Sequence, residues 1–194
     1  VAPAALSVAG DWPMPAPDWP VVAALTRPAQ VLVTPEPAPG AAAEAAFIAA
    51  LEAALAAGLR RIHLRLLPQH PARVERLAEA LALRCRAVGA GLWVHGLAWQ
   101  ALALRLGIGL HLRAGELALA AAPAGAAHLR EHRRAGLPLS AAGHDRAELR
   151  LAQALGVDDL LLGPVQATAS HPGQPGLGCA GFEVMRATVP GLPV

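Results

Sequence analysis

Along most of the chain, the apolar residues follow two patterns in turn, one typical of strands and one typical of helices. Short apolar runs, typical of buried strands, are separated by longer segments whose apolar residues recur at helical spacing, as Phe47, Ile48, Leu51 and Leu55 do. The predicted strands cover residues 31–34, 61–66, 92–95, 108–112, 137–142 and 159–163. The predicted helices cover residues 41–57, 71–85, 99–106, 114–135 in two pieces broken around Pro123 and Gly125, 145–154 and 181–188.

Repeats of a short strand followed by a helix predict a parallel sheet with right-handed crossovers. A dinucleotide-binding fold would place a glycine-rich turn after the first strand, where this chain has Thr-Pro-Glu-Pro at residues 34–37. A barrel is therefore favoured. Because an eight-stranded barrel typically needs about 200 residues or more, we expect an α/β fold, a TIM-type (β/α)8 barrel truncated after strand six or early in strand seven.

The chain divides into two parts by composition. Residues 1–29 are rich in proline and tryptophan, which predicts an extended linker or arm, and residues 30–194 are predicted to form the barrel. A barrel that ended here would expose strand edges at Val31 and Leu160, and a homodimer would be one way to cover them.

Composition excludes several classes of function. Hydrophobic residues make up 55% of the chain, but many are alanine and the longest such stretch is interrupted by Glu44 and Glu52, so no membrane span is expected. The basic residues are all arginines, scattered along the chain, and only 3% of residues are aromatic, which argues against a nucleic-acid surface. Two cysteines make no disulfide framework, and no signal peptide is apparent, so a cytoplasmic location is expected.

The loop after the sixth predicted strand carries the clearest chemistry. The apolar run ends at Gly163, and a loop with the hydroxyl groups of Thr168 and Ser170 and the imidazole of His171 follows. Ligands of parallel α/β proteins sit beyond the carboxyl ends of the strands, so these residues are candidates for ligand binding. A polar surface loop is the alternative interpretation.

Three segments have the order and wording of a known barrel family: the loop from Gly163 to Gly178, the Gly-Leu-His-Leu strand at residues 109–112, and Ala-Gly-His-Asp at residues 142–145. They resemble the thiamine phosphate synthase/TenI family, which has a (β/α)8 barrel. The likeness extends from about Val31 to the C-terminus. Residues 13–25 also resemble, more weakly, the connector of fusions that place a Nudix hydrolase domain ahead of such a barrel, so an upstream Nudix domain is one expected partner.

The resemblance implies a reaction that joins hydroxymethylpyrimidine diphosphate to a thiazole phosphate with the help of magnesium. Arg65 corresponds to the family's arginine, in a strand end where His63 stands for the family's glutamine, so the resemblance makes Arg65 and His63 candidates for phosphate binding. Thr168 and Ser170 correspond to the hydroxyl residues that hold the thiazole phosphate, with His171 in place of a lysine.

The resemblance also implies a weakened magnesium site. The family's Asn-Asp pair falls on His95 and Gly96, and its second metal-binding aspartate falls on Glu116. One carboxylate is too few for tight magnesium binding. We therefore expect that the part of the site that binds diphosphate and magnesium is largely lost, and that the part that binds the thiazole phosphate is partly kept.

Two alternatives remain open at this stage. A TenI-like thiazole tautomerase needs neither diphosphate nor metal, and His144 matches the histidine of that branch, a residue type suited to proton transfer. A non-catalytic domain that packs against an upstream hydrolase is the other. Of the remaining histidines, His63, His95 and His111 are interpreted mainly as core residues and the pair His128 and His132 as exposed, so a histidine metal site is not favoured.

Overall fold

The computed structural model describes residues 30–67, 70–168, 173 and 175–194. These residues form a parallel sheet of six strands in sequential order, with helices between the strands. The strands are β1 (Leu32–Val33), β2 (Arg61–Leu64), β3 (Gly91–His95), β4 (Gly109–Leu112), β5 (Leu139–Gly143) and β6 (Asp159–Leu162). The helices are α1 (Ala41–Ala56), α2 (Pro71–Ala87), α3 (Gln100–Leu106), α4 (Leu117–Ala121), α5 (Pro123–Arg134), α6 (Arg146–Leu155) and α7 (Gly178–Arg186). Each predicted strand and helix is confirmed within a few residues, whereas the predicted linker lies outside the described residues.

Alternation along the strands creates two different layers. Side chains that point outward, such as Ile62, Leu64, Val94, Leu110 and Leu160, are at most 1% exposed and pack in the main hydrophobic core. Because successive strand residues point to opposite faces, the residues between them point to the inside of the sheet. That inner face is polar, and it is the part of the fold that positions the chemistry described below.

The sheet is curled rather than flat. Arg61 on β2 and Asp159 on β6 are four strands apart, which would separate them by about 19 Å in a flat sheet. Their side chains nevertheless form an ion pair with 2.7 Å between Arg61 Nη2 and Asp159 Oδ1. The inner face therefore closes around a lumen, as in a (β/α) barrel.

The far edge of the sheet shows where a seventh strand would begin. The backbone N–H of Leu160 on β6 donates to the carbonyl oxygen of Pro193 at 2.9 Å. The last residues of the chain thus lie beside β6, in the position that the next parallel strand of a barrel takes. The described residues therefore match a (β/α) barrel up to the start of strand seven.

Local sequence signals explain the helix boundaries. Asp145 caps α6, since its carboxylate accepts a 2.8 Å hydrogen bond from the backbone N–H of Glu148. Pro123 begins α5 and separates it from α4, as the sequence predicts. Burial raises the pKa of the Cys85 thiol on α2 to about 11. No helix in the described part of the chain is long and apolar enough to cross a membrane.

Candidate active site at the carboxyl ends of the strands

His144 and Gly163 meet at the ends of two neighbouring strands. His144 follows β5 and Gly163 follows β6, and the Nδ1 atom of His144 lies 2.5 Å from the carbonyl oxygen of Gly163. A carbonyl oxygen can only accept, so Nδ1 carries the proton and donates it. Neutral His144 is therefore held in the tautomer whose Nε2 is the basic nitrogen.

Arg65 lies at the same end of the sheet, just after β2. Its backbone N–H donates to the hydroxyl oxygen of Thr34 at 3.1 Å, which ties the end of β2 to the end of β1. Among the residues that the structure describes, its guanidinium group has no ion pair or hydrogen-bond partner. Its positive charge acts on His95, whose pKa it helps to lower. Arg65 is thus an exposed cation at the mouth of the lumen.

The carboxylate of Glu116 accepts hydrogen bonds from two neighbouring loops of the protein. Its carboxylate accepts from the backbone N–H groups of Leu97 at 3.2 Å and Arg113 at 3.0 Å, and from the Arg113 guanidinium at 2.7 Å. Gly96 is required beside this group, because it has a φ of 112° and a Cβ there would lie 2.9 Å from Arg113 Nη2. Glu116 therefore connects the loops after β3 and β4.

These contacts bear on the magnesium ion that the resemblance implies. Magnesium prefers oxygen ligands in octahedral geometry, whereas the last residue of β3 is an imidazole, His95, and the residue after it is a glycine, Gly96. The Glu116 carboxylate would have to give up its hydrogen bonds to serve as a ligand. The residues present do not fit a magnesium site.

The structure describes only part of the loop after β6, which the sequence predicts to bind phosphate. Thr168 is exposed and follows β6 by six residues, while Ser170 and His171 lie outside the described residues. The backbone N–H of Gly163 faces the carbonyl oxygen of Gly143 at 3.4 Å, which places the start of the loop next to the end of β5. The phosphate-binding roles of these residues stay predictions.

A second group of polar residues fills the lumen below the mouth. His63 from β2, His95 from β3 and His111 from β4 are 0%, 8% and 2% exposed, and one ring nitrogen of each lies within 4.8 Å of the other two. His63 lies at the centre of this group rather than at the mouth with Arg65, where its predicted phosphate-binding role would need it. We name His63, His95 and His111 the lumen histidines.

Hydrogen bonds assign the protons of the lumen histidines. The Nε–H of Arg61 donates to His63 Nε2 at 2.9 Å, so neutral His63 carries its proton on Nδ1. That Nδ1 lies 3.0 Å from His95 Nε2, which accepts from it. His111 Nδ1 lies 2.8 Å from the hydroxyl oxygen of Ser140 on β5.

Burial keeps the lumen histidines uncharged. It lowers the pKa of His63 to about 2, with a further contribution from the charge of Arg61. Burial and the charges of Arg65 and Arg113 lower the pKa of His95 to about 4, against the opposing effect of Glu116. The pKa of His111 is also lowered by burial. All three rings are therefore neutral at neutral pH.

Trp93 forms the floor of the lumen. Its ring stacks on His63 with 5.3 Å between centroids, and the Arg61 guanidinium carbon lies 4.1 Å from the Trp93 ring centroid. Gly91 and Gly109 make room for the indole, since a Cβ on either would come within 2.4 Å of it. A large aromatic side chain thus replaces the branched aliphatic residues that usually fill such a barrel.

Sequence reasoning missed this lumen group as a unit. Arg61, Trp93 and Asp159 were assigned only to strands, and the histidines were interpreted as separate core residues. The available signal was their two-residue alternation with apolar residues on consecutive strands, which predicts a shared inner face. The contacts across the lumen depend on how far the sheet curls, which no local pattern gives.

A curled parallel sheet of six sequential strands, with helices between the strands, defines a domain of the (β/α)-barrel type. A family model described as thiamine monophosphate synthase matches residues 31–194. The chain therefore belongs to the thiamine phosphate synthase/TenI family.

The fold agrees with that assignment. Thiamine phosphate pyrophosphorylase from Pyrococcus furiosus is structurally similar, with a TM-score of 0.57 and 18% sequence identity, over 80% of this chain and 67% of that chain. At this identity the likeness concerns the fold. Among curated proteins, no sequence match was found.

Proposed function

We propose that this chain binds a phosphorylated thiazole and catalyses a proton shift within it, as a TenI-like thiazole tautomerase with His144 as the proton-transfer residue. The observation that carries the proposal is the hydrogen bond from His144 Nδ1 to the carbonyl oxygen of Gly163. It fixes the ring orientation and leaves Nε2 as the basic nitrogen, as a general base requires. A tautomerisation conserves all atoms, so the proton taken up by Nε2 is returned to the ligand.

The cation at the mouth supports a phosphorylated ligand. Arg65 is exposed beside the lumen, and its guanidinium can make the bidentate hydrogen bonds that a phosphate favours. Thr168, in the loop after β6, is a proposed hydroxyl donor to the same phosphate, and so is Ser170, which is outside the described residues. A phosphate anchored by Arg65 and Thr168 would bring the thiazole ring over the ends of β5 and β6, near His144.

The lack of available carboxylates near Glu116 argues against the coupling reaction. Release of diphosphate needs concentrated positive charge, usually supplied with a divalent ion. Glu116 is engaged by Leu97 and Arg113, and the neighbouring positions His95 and Gly96 offer no carboxylate oxygen. Isomerisation of the thiazole avoids this requirement, which is why we prefer it to thiamine phosphate synthesis.

Purified protein is expected to convert the thiazole carboxylate phosphate tautomer into its aromatic form without added metal. The change in ultraviolet absorbance on aromatisation measures the rate, with EDTA present throughout. A parallel assay with hydroxymethylpyrimidine diphosphate, thiazole phosphate and magnesium is expected to yield no thiamine phosphate. Thiamine phosphate formation would overturn the proposal in favour of coupling, and inactivity in both assays would favour a non-catalytic domain.

Replacing Arg65 with methionine is expected to raise the KM for the phosphorylated thiazole roughly 10- to 100-fold, the effect of losing a charge-assisted hydrogen bond. The value of kcat should change much less, because Arg65 is proposed to hold the phosphate and not the reacting ring. Arg130→Met, at an exposed position on α5, is the matched control. Equal KM values for the two variants would show that Arg65 does not hold the phosphate.

A further inference from the structure

We propose that the lumen histidines form a binding site for a single divalent transition-metal ion of the zinc type. This site is separate from the chemistry proposed for His144, and it lies inside the sheet rather than at its edge. Three imidazoles from three consecutive strands provide the ligands. This proposal does not depend on whether the chain has the proposed tautomerase activity.

The spacing of the ring nitrogens is close to that of a coordination sphere. Zinc binds histidine nitrogen at about 2.0–2.1 Å, so two nitrogens of a tetrahedral site lie about 3.4 Å apart. His63 Nδ1 and His95 Nε2 are 3.0 Å apart, and all three candidate ligand atoms lie within 4.8 Å of one another. Binding requires each ring to rotate until its ligand nitrogen lies about 2.0 Å from the ion.

The strand register explains why the three rings meet. His95 on β3 is directly opposite His111 on β4, and His63 on β2 is directly opposite Trp93, two residues before His95. The ring centroids of His95 and His111 are 4.1 Å apart, and those of His63 and His111 are 4.9 Å apart. The backbone of three paired strands therefore holds the ligands before any ion binds.

The chemistry of the donors selects the kind of ion. Three neutral imidazoles suit zinc, cobalt, nickel or copper, whereas magnesium and calcium prefer oxygen. The Ser140 hydroxyl contacts Nδ1 of His111 at 2.8 Å and so leaves its Nε2 as the ligating atom. Such a hydrogen bond to the second ring nitrogen is typical of histidines that bind metal.

Arg61 is the group that competes with the ion. Its Nε–H donates to His63 Nε2, which must itself carry the proton once Nδ1 binds a metal. Arg61 must therefore release this hydrogen bond when the ion enters. The charge of Arg61 is already balanced by Asp159 at 2.7 Å, so the ion does not meet an uncompensated cation.

The exposure of the histidines shows from which side the ion enters. His95 is 8% exposed, whereas His63 is fully buried with 0% exposed. His95 is thus nearest the mouth, and three protein ligands leave a fourth position for water or a ligand atom. With three protein ligands and one open position, such a site resembles catalytic zinc sites. Structural zinc sites have four protein ligands.

The test uses the full chain, without an affinity tag, after treatment with EDTA and dialysis. Titration with Co2+ is expected to give visible absorption typical of tetrahedral coordination, saturating at one equivalent and abolished by Zn2+. Part of the tryptophan fluorescence should be quenched in parallel, because the ring of Trp93, one of four tryptophans in the chain, stacks on His63. Magnesium should produce neither effect.

Two variants locate the site. Loss of a group that only hydrogen-bonds to a metal ligand typically weakens metal binding 10- to 100-fold. His95→Gln removes a ligand itself, so it is expected to weaken Co2+ binding by a larger factor. His128→Gln, on the exposed side of α5, should bind as the wild type does. Circular dichroism checks that both variants are folded.

Three results would overturn the proposal. They are the absence of saturable binding by the folded wild type, unchanged binding in His95→Gln, and X-ray absorption of the loaded wild type that shows oxygen ligands instead of three imidazole nitrogens at about 2.0 Å. The absorption measurement needs no variant, so it decides the question even where His95→Gln does not fold.

Discussion

Replacing His144 with asparagine is expected to lower the rate of thiazole tautomerisation about 10²- to 10⁴-fold, the usual contribution of a general base. The asparagine amide can still donate to the carbonyl oxygen of Gly163, so the contact between the ends of β5 and β6 is kept. The basic Nε2 is lost. The effect should appear in kcat, measured by ultraviolet absorbance at saturating substrate.

Two comparisons separate catalysis from structure in this experiment. The midpoint of thermal unfolding should be nearly the same for the wild type and His144→Asn, because the hydrogen bond is preserved. His128→Asn, an exposed histidine on α5, should keep full activity. If His144→Asn retains the wild-type kcat, His144 is not the base and the proposed function loses its main support.

Replacing Asp159 with asparagine is expected to lower the free energy of unfolding by roughly 3 kcal/mol. Arg61 and Asp159 are 8% and 15% exposed and form an ion pair inside the lumen. Removing one charge leaves the other buried without compensation, which costs several kcal/mol. Urea unfolding followed by circular dichroism measures the loss.

An exposed ion pair provides the matched control for Asp159. Arg105 and Glu79 form a pair at 2.6 Å in which both side chains are about half exposed, so Glu79→Gln should cost less than about 1 kcal/mol. The double variant Arg61→Met with Asp159→Leu should recover part of the stability lost in Asp159→Asn, because it leaves neither charge buried. A loss in Asp159→Asn no larger than that in Glu79→Gln would contradict the assigned role of the lumen pair.

Much of the architecture could be predicted from local signals. The apolar runs marked all six strands, Pro123 separated α4 from α5, and Asp145 marked the start of α6. These features are set by residues close together in the sequence, through side-chain alternation, backbone geometry and capping. Strand ends differed by at most two residues from the predicted ones, since pairing with neighbours decides where a strand stops.

The site at the mouth was predictable only in part. His144 and Gly163 were selected separately, on a resemblance and on the end of a strand, and the structure brings them within hydrogen-bond distance. Glu116 was considered as a metal ligand, but its hydrogen bonds to Leu97 and Arg113 became apparent only in the folded chain. Which partners a polar side chain finds depends on loops that are remote in sequence.

The sequence by itself determined the order of strands and helices, the parallel sheet and the family, because these follow from periodicity and from motifs of a few residues. Only the tertiary structure decided that His63, His95 and His111 share one lumen with the Arg61–Asp159 ion pair. The reason is geometric. Alternation tells which residues face inward, but the curl of the sheet decides which of them meet, and that curl is a property of all the strands together.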